Sequence, residues 1–186
     1  IKLLKNVAGR TKWDKALVKL INKNINYYYC NEVLRDEFYD SIKWKFSKIR
    51  NHSIFLTQIQ SPIKGFDKFL QALSIVVQRF PDTKVYVASG IYESVNSIKR
   101  KILNEMVEWN SQINYMLDKY NLRKHIVFLQ GLNAKEMIEQ YLKAHVFVSP
   151  SRIENSSNSV CEAKILGVPC VVSAVGGCWD LIEHGK

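Results

Sequence analysis

The sequence predicts an α/β domain built on a doubly wound parallel sheet, and three observations carry that reading. From about residue 52 onward, short apolar runs alternate with amphipathic segments of helical period. The runs are uniformly apolar, as strands are when helices cover both faces of a parallel sheet. Each run ends in glycine, proline or polar residues, and strand alternating with helix is the pattern of doubly wound folds.

Ile54-Phe55-Leu56 is the first of these runs, followed by a polar loop from Gln58 to Lys64. Phe66, Phe69, Leu70, Leu73, Val76 and Val77 then recur at helical spacing until Pro81, which cannot continue a helix. Lys84–Ala88 is the next strand, closed by Ser89-Gly90, and a long amphipathic region of roughly 94–120 follows with Ile98, Ile102, Met106 and Trp109 on one stripe. Ile126–Leu129 is a third strand ended by Gly131, and Ala134–Lys143 is a short helix with Met137, Ile138, Tyr141 and Leu142 inward. Val146–Val148 is a fourth strand broken by Pro150. Asn158–Leu166 is a helix capped by Gly167, and Val168–Ser173 is a fifth strand. In such sheets ligands bind outside the carboxyl ends of the strands, so the loops after residues 57, 88, 130, 148 and 173 are the place to look for a site.

Residues 1–50 read differently. Thr11 caps a helix carrying Trp13, Ala16, Leu17 and Leu20, which leads to an aromatic strand, Ile25–Tyr29, and a short helix around Glu32–Tyr39. This part is expected to pack on the following domain as a first unit of it. No internal repeat or low-complexity segment interrupts the chain.

With 47% apolar and 24% charged residues, the 186-residue chain has the composition of one globular domain, and disorder, collagen and coiled coil are excluded. The net charge of +10 is uneven: residues 1–50 hold twelve Lys/Arg and five Asp/Glu, hence +7. A basic surface attracts nucleic acid, anionic lipid or phosphorylated small molecules, or is simply a solvated face. No basic run interleaved with aromatics is present, so no nucleic-acid partner is expected. Cys30, Cys161, Cys170 and Cys178 have neither C-x-x-C spacing nor paired histidines. Three of them lie in or beside apolar segments that read as core, so small buried thiols in a reduced, cytoplasmic protein are expected, with no metal site and no disulfide framework. No stretch approaches the ~20 apolar residues of a spanning helix. Both ends read as cuts through a longer sequence, and no signal peptide opens the chain.

The window that carries chemistry runs from Ser149 to Gly177. A strand ends in a loop rich in asparagine and serine, a helix follows, and a second strand ends in two glycines. Asn and Ser side chains cap helix N-termini, and the N–H groups freed there form an anion site. Glu154 lies in the loop and Glu162 about one turn inside the helix. Hydroxyl acceptors in two places with phosphate donors between them are what a sugar diphosphate joined to ribose requires. Ten glutamates in the chain make their spacing of eight weak support by itself, and a surface-loop Glu154 with a solvent-facing Glu162 is the plainer alternative. Their place between two strands of a parallel sheet favours the site.

Glu154-x7-Glu162-Ala163, then Gly167-Val168-Pro169 and Gly176-Gly177, resembles the signature of retaining GT-B glycosyltransferases, of the large group-1 type usually numbered family four. Upstream, Lys64-Gly65-Phe66-Asp67, Phe80-Pro81-Asp82 with Val85–Ala88, and Val127-Phe128-Leu129-x-Gly131 fall in the family's order. The resemblance covers roughly residues 52–185. Gly9-Arg10-Thr11-x-Trp13-Asp14 is similar to the interdomain lead-in of some bacterial members. It implies a Rossmann-like sheet forming one half of a GT-B fold. Residues 1–50 would be the interdomain lead-in packed on the domain, residues 51–186 the C-terminal nucleotide-sugar-binding domain, and the N-terminal acceptor domain would lie outside this chain.

The resemblance further implies that Glu154 is the catalytic residue, near the transferred carbon, holding a developing oxocarbenium-like charge. Glu162 would accept bonds from the ribose hydroxyls. Ser157, Asn158 and Ser159 would donate to the diphosphate, Lys64 would supply a point charge to it, and Gly131 would border the base. Gly176-Gly177 either lets the chain approach the phosphates or makes a tight turn. Two departures stand out: the family's frequent arginine before the lysine is Gln58 or Ile59 here, and its Glu-Gly-Phe-Gly opening is Glu154-Asn155-Ser156-Ser157.

The expected partners are a UDP-, GDP- or ADP-sugar donor, with no cofactor or metal, and a glycan or lipid-linked acceptor. Transfer would retain configuration, in the cytoplasm, with peripheral membrane contact at the inner face left open. The isolated chain would bind donor nucleotide and transfer poorly or not at all. The alternatives are a GT-B nucleotide-sugar epimerase or sugar-phosphate synthase, or a non-catalytic module binding anions or membrane. His52, His125, His145, the tryptophans and the Tyr27-Tyr28-Tyr29 run read as structural.

Overall fold

The computed structural model describes residues 3–88 and 100–185, with residues 100–107 described by backbone alone. The expected ending at Ser89-Gly90 and the positions of Ile98, Ile102 and Met106 on the stripe lie outside what is described.

Strands β1 (Asn6–Gly9) and β2 (Asn26–Tyr29) flank helix α1 (Lys12–Ile21) and pair in parallel as a sheet of their own. β1 is an element that sequence reading missed, because Asn6-Val7-Ala8-Gly9 is neither rich in β-branched residues nor alternating. Thr11 caps α1 as expected, in a capping box with Asp14. The apolar stripe of α1 is not covered: none of its residues is buried, and Leu20 is 80% exposed.

A connecting segment carries helix α2 (Asp36–Tyr39), one turn rather than the two expected from Glu32. Phe38 is wholly buried and meets Tyr141 edge-on at 6.1 Å. Trp44 donates its indole N–H to the Ala144 carbonyl at 2.8 Å, and its backbone N–H to Leu166 O at 2.8 Å. These bonds lay the segment along the helices of the main domain.

The main sheet comprises β3 (Ser53–Thr57), β4 (Lys84–Ala88), β5 (Ile126–Leu129), β6 (Val146–Ser149) and β7 (Cys170–Val172). Every pairing is parallel and the order is β5-β4-β3-β6-β7. Helices α3 (Phe66–Arg79), α4 (Arg100–Lys119), α5 (Ala134–Lys143) and α6 (Asn158–Leu166) connect the strands. Alternate strand residues serve two cores: Leu56, Val85 and Val87 pack against α3 and α4, while Phe55 and Phe147 pack against α5 and α6. Burying each such side chain contributes about 1.5–3 kcal/mol, which explains why both faces of the strands read as apolar.

β7 is shorter than the expected 168–173. Val168 gives its N–H to Ala163 O at 2.9 Å, closing α6 behind Gly167, and Pro169 has no N–H to give. Of the thiols, Cys178 is buried, Cys161 and Cys170 are only half-buried, and Cys30 is exposed. Burial pushes the Cys170 thiol up to about 11, so it is inert at neutral pH.

Candidate functional site: a cavity at the carboxyl edge of the sheet

The order in which strands are added to a doubly wound sheet reverses between its first strand and the strand that starts its second half, which here are β3 and β6. At that carboxyl edge lies a cavity of about 430 Å³. Thr57, Ala88 and Leu129, the last residues of β3, β4 and β5, form its floor. Asn158, Ser159 and Glu162 of α6 form one wall, and Gly131 and Met137 another. The histidines before β3, β5 and β6 stand at the opposite edge, where His125 bonds the Thr83 carbonyl at 2.9 Å and His52 bonds Asp82 at 2.8 Å.

Helix α6 begins at the cavity because Ser157, in extended conformation, caps it by accepting from the Val160 N–H at 3.4 Å. The hydroxyls of Ser157 and Ser159 lie 3.0 Å apart. The first N–H groups of a helix lack intrahelical partners, so Asn158 and Ser159 bring donors and the positive dipole end to the cavity wall. Glu162 is 8% exposed, and so is not a solvent-facing helix residue. Its Oε2 accepts from the Tyr141 hydroxyl at 3.2 Å and its Oε1 from Arg35 Nη2 at 2.9 Å. Burial, reinforced by the Glu162 charge, pushes the Tyr141 hydroxyl well above its usual range, which keeps it a donor.

Lys64 and Glu154 do not line the cavity and instead meet each other, Nζ to Oε2 at 2.9 Å. Their two loops are tied by Arg152, which bonds the Pro62 carbonyl and reaches the buried Asp67 carboxylate at 2.5 Å. Gly65 makes the crossing possible: at φ 68° a Cβ would stand 1.9 Å from the Pro150 carbonyl oxygen. Only glycine fits there.

Asn155, where the resemblance would put glycine, has its own partners. Its Nδ2 donates to Asp14 Oδ2 at 2.8 Å, and its Oδ1 accepts from the Thr11 hydroxyl at 2.5 Å. Asp14 also accepts from Tyr27 and from the Arg10 N–H. Burial alone would raise the Asp14 carboxyl, but hydrogen bonds from Tyr27, Arg10, Asn155 and Thr11 outweigh it and hold the pKa below its usual value. Gly176-Gly177 settles into this contact, with Gly177 N bonded to Glu154 O at 2.9 Å. A Cβ on Gly176 would stand 2.1 Å from that oxygen, so this close approach is to the loop backbone.

The glycosyl transferases group 1 family model matches residues 40–186, which is most of the chain. The chain belongs to that family. Among its relatives, the mannosylfructose-phosphate synthase of Agrobacterium fabrum is 26% identical over 123 residues, covering 66% of this chain and 25% of the synthase. The GDP-mannose-dependent alpha-(1-6)-phosphatidylinositol monomannoside mannosyltransferase of Mycolicibacterium smegmatis is 26% identical over 132 residues, covering 67% of this chain and 30% of that enzyme. The chain thus spans about a quarter to a third of such relatives. Many solved structures share its fold, among them two that contain UDP. The pneumococcal O-GlcNAc transferase GtfA, in complex with UDP and GlcNAc, aligns with TM-score 0.71 and 13% identity over 98% of this chain and 33% of its own. TarM of S. aureus, in complex with UDP among other ligands, aligns with TM-score 0.75 and 16% identity over 98% and 32%. The α/β sheet of this group 1 glycosyltransferase chain is therefore the Rossmann-like half of a GT-B fold.

In this family member the cavity gathers Gly131, Asn158, Ser159 and Glu162. Ser157 is buried as the helix cap, and Lys64 and Glu154, which do not line the cavity, pair with each other. Both departures find a physical account. Ile59 is core, its carbonyl accepting from the Trp109 indole at 3.0 Å, whereas Gln58 lines the cavity at φ 58°. Sequence reading missed Arg35, Tyr141 as a partner of Glu162, and Arg152. Arg152 stands two residues before Glu154 and Asp67 closes the Lys-Gly-Phe-Asp element, so proximity in sequence was a usable signal there. Nothing in the sequence links Arg35 to a residue 127 positions away. Among the described residues no group of three or more His, Cys, Asp or Glu could hold a metal, and no helix is long and apolar enough to cross a membrane.

Proposed function

We propose that the cavity binds a nucleoside-diphosphate sugar, and that the whole protein transfers the sugar to an acceptor with retention of configuration. The observation that carries this reading is the buried carboxylate of Glu162 sharing a cavity wall with the start of α6. A ribose diol suits the carboxylate, and a diphosphate suits the helix terminus. GtfA and TarM, which share the fold, are complexed with UDP, which supports the choice of ligand.

Gly131 borders the base, and Ser157, Asn158 and Ser159 meet the diphosphate. Lys64 turns from Glu154 to the leaving phosphates as they take up negative charge, a stabilisation strongest in the transition state. Glu154, released from its cation, then faces the positive charge developing on the transferred carbon. Lys64 and the helix terminus meet the diphosphate charge without a metal or cofactor. A glycan or lipid-linked acceptor is held by protein beyond this chain, in the cytoplasm and, for a lipid acceptor, at the inner membrane face.

The test is a thermal-shift titration of the chain with UDP, GDP, ADP and dTDP, repeated on Glu162→Gln and Lys64→Ala. A ligand at 100 times its dissociation constant adds about 2.7 kcal/mol, roughly 5–10 °C for a domain of this size. A shift with one nucleotide, weakened by both substitutions, supports the reading and identifies the base. A folded chain that no nucleotide shifts, but that binds anionic vesicles, would replace it with an anion- or membrane-binding module. Product analysis on the full-length protein separates transfer to a glycan or lipid from sugar-phosphate synthesis and epimerisation.

A further inference from the structure

Arg35 and Glu162 are the two charged side chains among the described residues lining the cavity. Arg35 comes from the connecting segment, just ahead of α2, and is not part of the sheet-and-helix framework that supplies the rest of the lining. It is nonetheless held firmly. Its guanidinium lies 4.8 Å from the ring centroid of Phe38, which is wholly buried against Tyr141. Its carbonyl accepts the Phe38 N–H at 3.0 Å.

A guanidinium has five N–H donors in a planar fork, and the described structure spends one of its groups, Nη2, on Glu162. The side chain is 44% exposed, so its remaining donors are open to a ligand in the cavity. Asn158 and Ser159, at the positive end of α6, line the same cavity. A guanidinium and a helix N-terminus around one space favour phosphate over a neutral sugar or a base. Glu162 loses nothing by this, since a carboxylate has about four lone-pair sites and Arg35 and Tyr141 occupy one each.

We propose that Arg35 is a donor-binding residue: it steadies the Glu162 carboxylate and offers the rest of its guanidinium to the diphosphate of the nucleotide. The assignment rests on the donor-site reading of the cavity. It makes the connecting segment part of the nucleotide site, so that the phosphates bridge α6 and the link to the first unit.

Calorimetric titration of the 186-residue chain with UDP, GDP, ADP and dTDP identifies the nucleotide bound, and its nucleoside without phosphate is the control. Arg35→Ala is expected to weaken the diphosphate roughly tenfold or more while leaving the nucleoside within about twofold, and Arg35→Lys is expected to recover part of the loss. Equal weakening of both ligands would make Arg35 a structural tie, and tighter nucleoside binding would make it a competitor for Glu162. Either result overturns the assignment, as does unchanged diphosphate affinity. If Arg35→Ala binds the diphosphate normally while Lys64→Ala and Glu162→Gln weaken it, the donor site stands and Arg35 alone is wrong. If the wild-type chain binds no nucleoside diphosphate, both fall.

Discussion

The ammonium of Lys64 lies 2.9 Å from Oε2 of Glu154, across two loops ninety residues apart. The side chains are 26% and 16% exposed, so the pair is neither a surface ornament nor a dry core bridge. Each group satisfies the other in the free protein, and under the proposed function a bound sugar diphosphate would offer each an alternative partner. The pair therefore stores the site's charges without leaving either one bare.

Breaking that pair has two separable consequences. Lys64→Ala should weaken nucleoside-diphosphate binding by roughly tenfold or more while sparing the nucleoside, because a hydrogen bond to a charged group is worth about 1.5–3 kcal/mol. In urea unfolding, a double-mutant cycle of Lys64→Met and Glu154→Gln should give a coupling of about 1 kcal/mol. A coupling indistinguishable from zero would mean that the pair adds nothing to the fold.

Asn155 fastens the Glu154 loop to the first unit. Asn155→Ala removes the bonds to Asp14 and Thr11 and should cost about 1–3 kcal/mol, as two partly buried groups lose a partner. Denaturant midpoints would measure it. If Asn155→Ala matches the wild type within error, the latch does not contribute to stability.

The same latch makes stability depend on acid. The hydrogen bonds of Asp14 hold its folded pKa below its usual 3.8. A carboxyl depressed in the folded state stabilises fully above the unfolded value, and loses that contribution as pH falls through the folded one. The stability difference between wild type and Asp14→Asn should thus be constant above about pH 5 and shrink steadily below 3.8. A difference that does not change over that range would show that the network leaves Asp14 unperturbed.

Gly65 is the position least able to change. Alanine there meets a left-handed backbone costing roughly 1–2 kcal/mol and a Cβ only 1.9 Å from the Pro150 carbonyl. Because the obstacle is backbone, the two loops must part. Gly65→Ala should lower the melting temperature by roughly 5 °C or more and weaken nucleotide binding with it, by moving Lys64 from Glu154. An unaltered melting curve would contradict the close approach.

The sequence alone determined the α/β layering, because short uniformly apolar runs and period-3.6 apolar stripes are local patterns strongly enforced by burial. Helices 134–143 and 158–166 and strands 84–88 and 126–129 stand where the residues place them. Glu162 could be placed at the carboxyl edge from the sequence because α6 follows the carboxyl end of β6, whereas Lys64 and Glu154 were singled out by the family motif and pair with each other outside the cavity lining. Tertiary structure alone decided what each charge faces. Arg35 reaches Glu162, and Asp14 reaches Asn155, over 127 and 141 residues, and such pairings depend on how finished elements pack rather than on local pattern. It also decided the status of the first unit. β1 and β2 hydrogen-bond to each other and not to the main sheet, which leaves the α1 stripe exposed, because a short strand's choice of neighbour is a property of the whole chain.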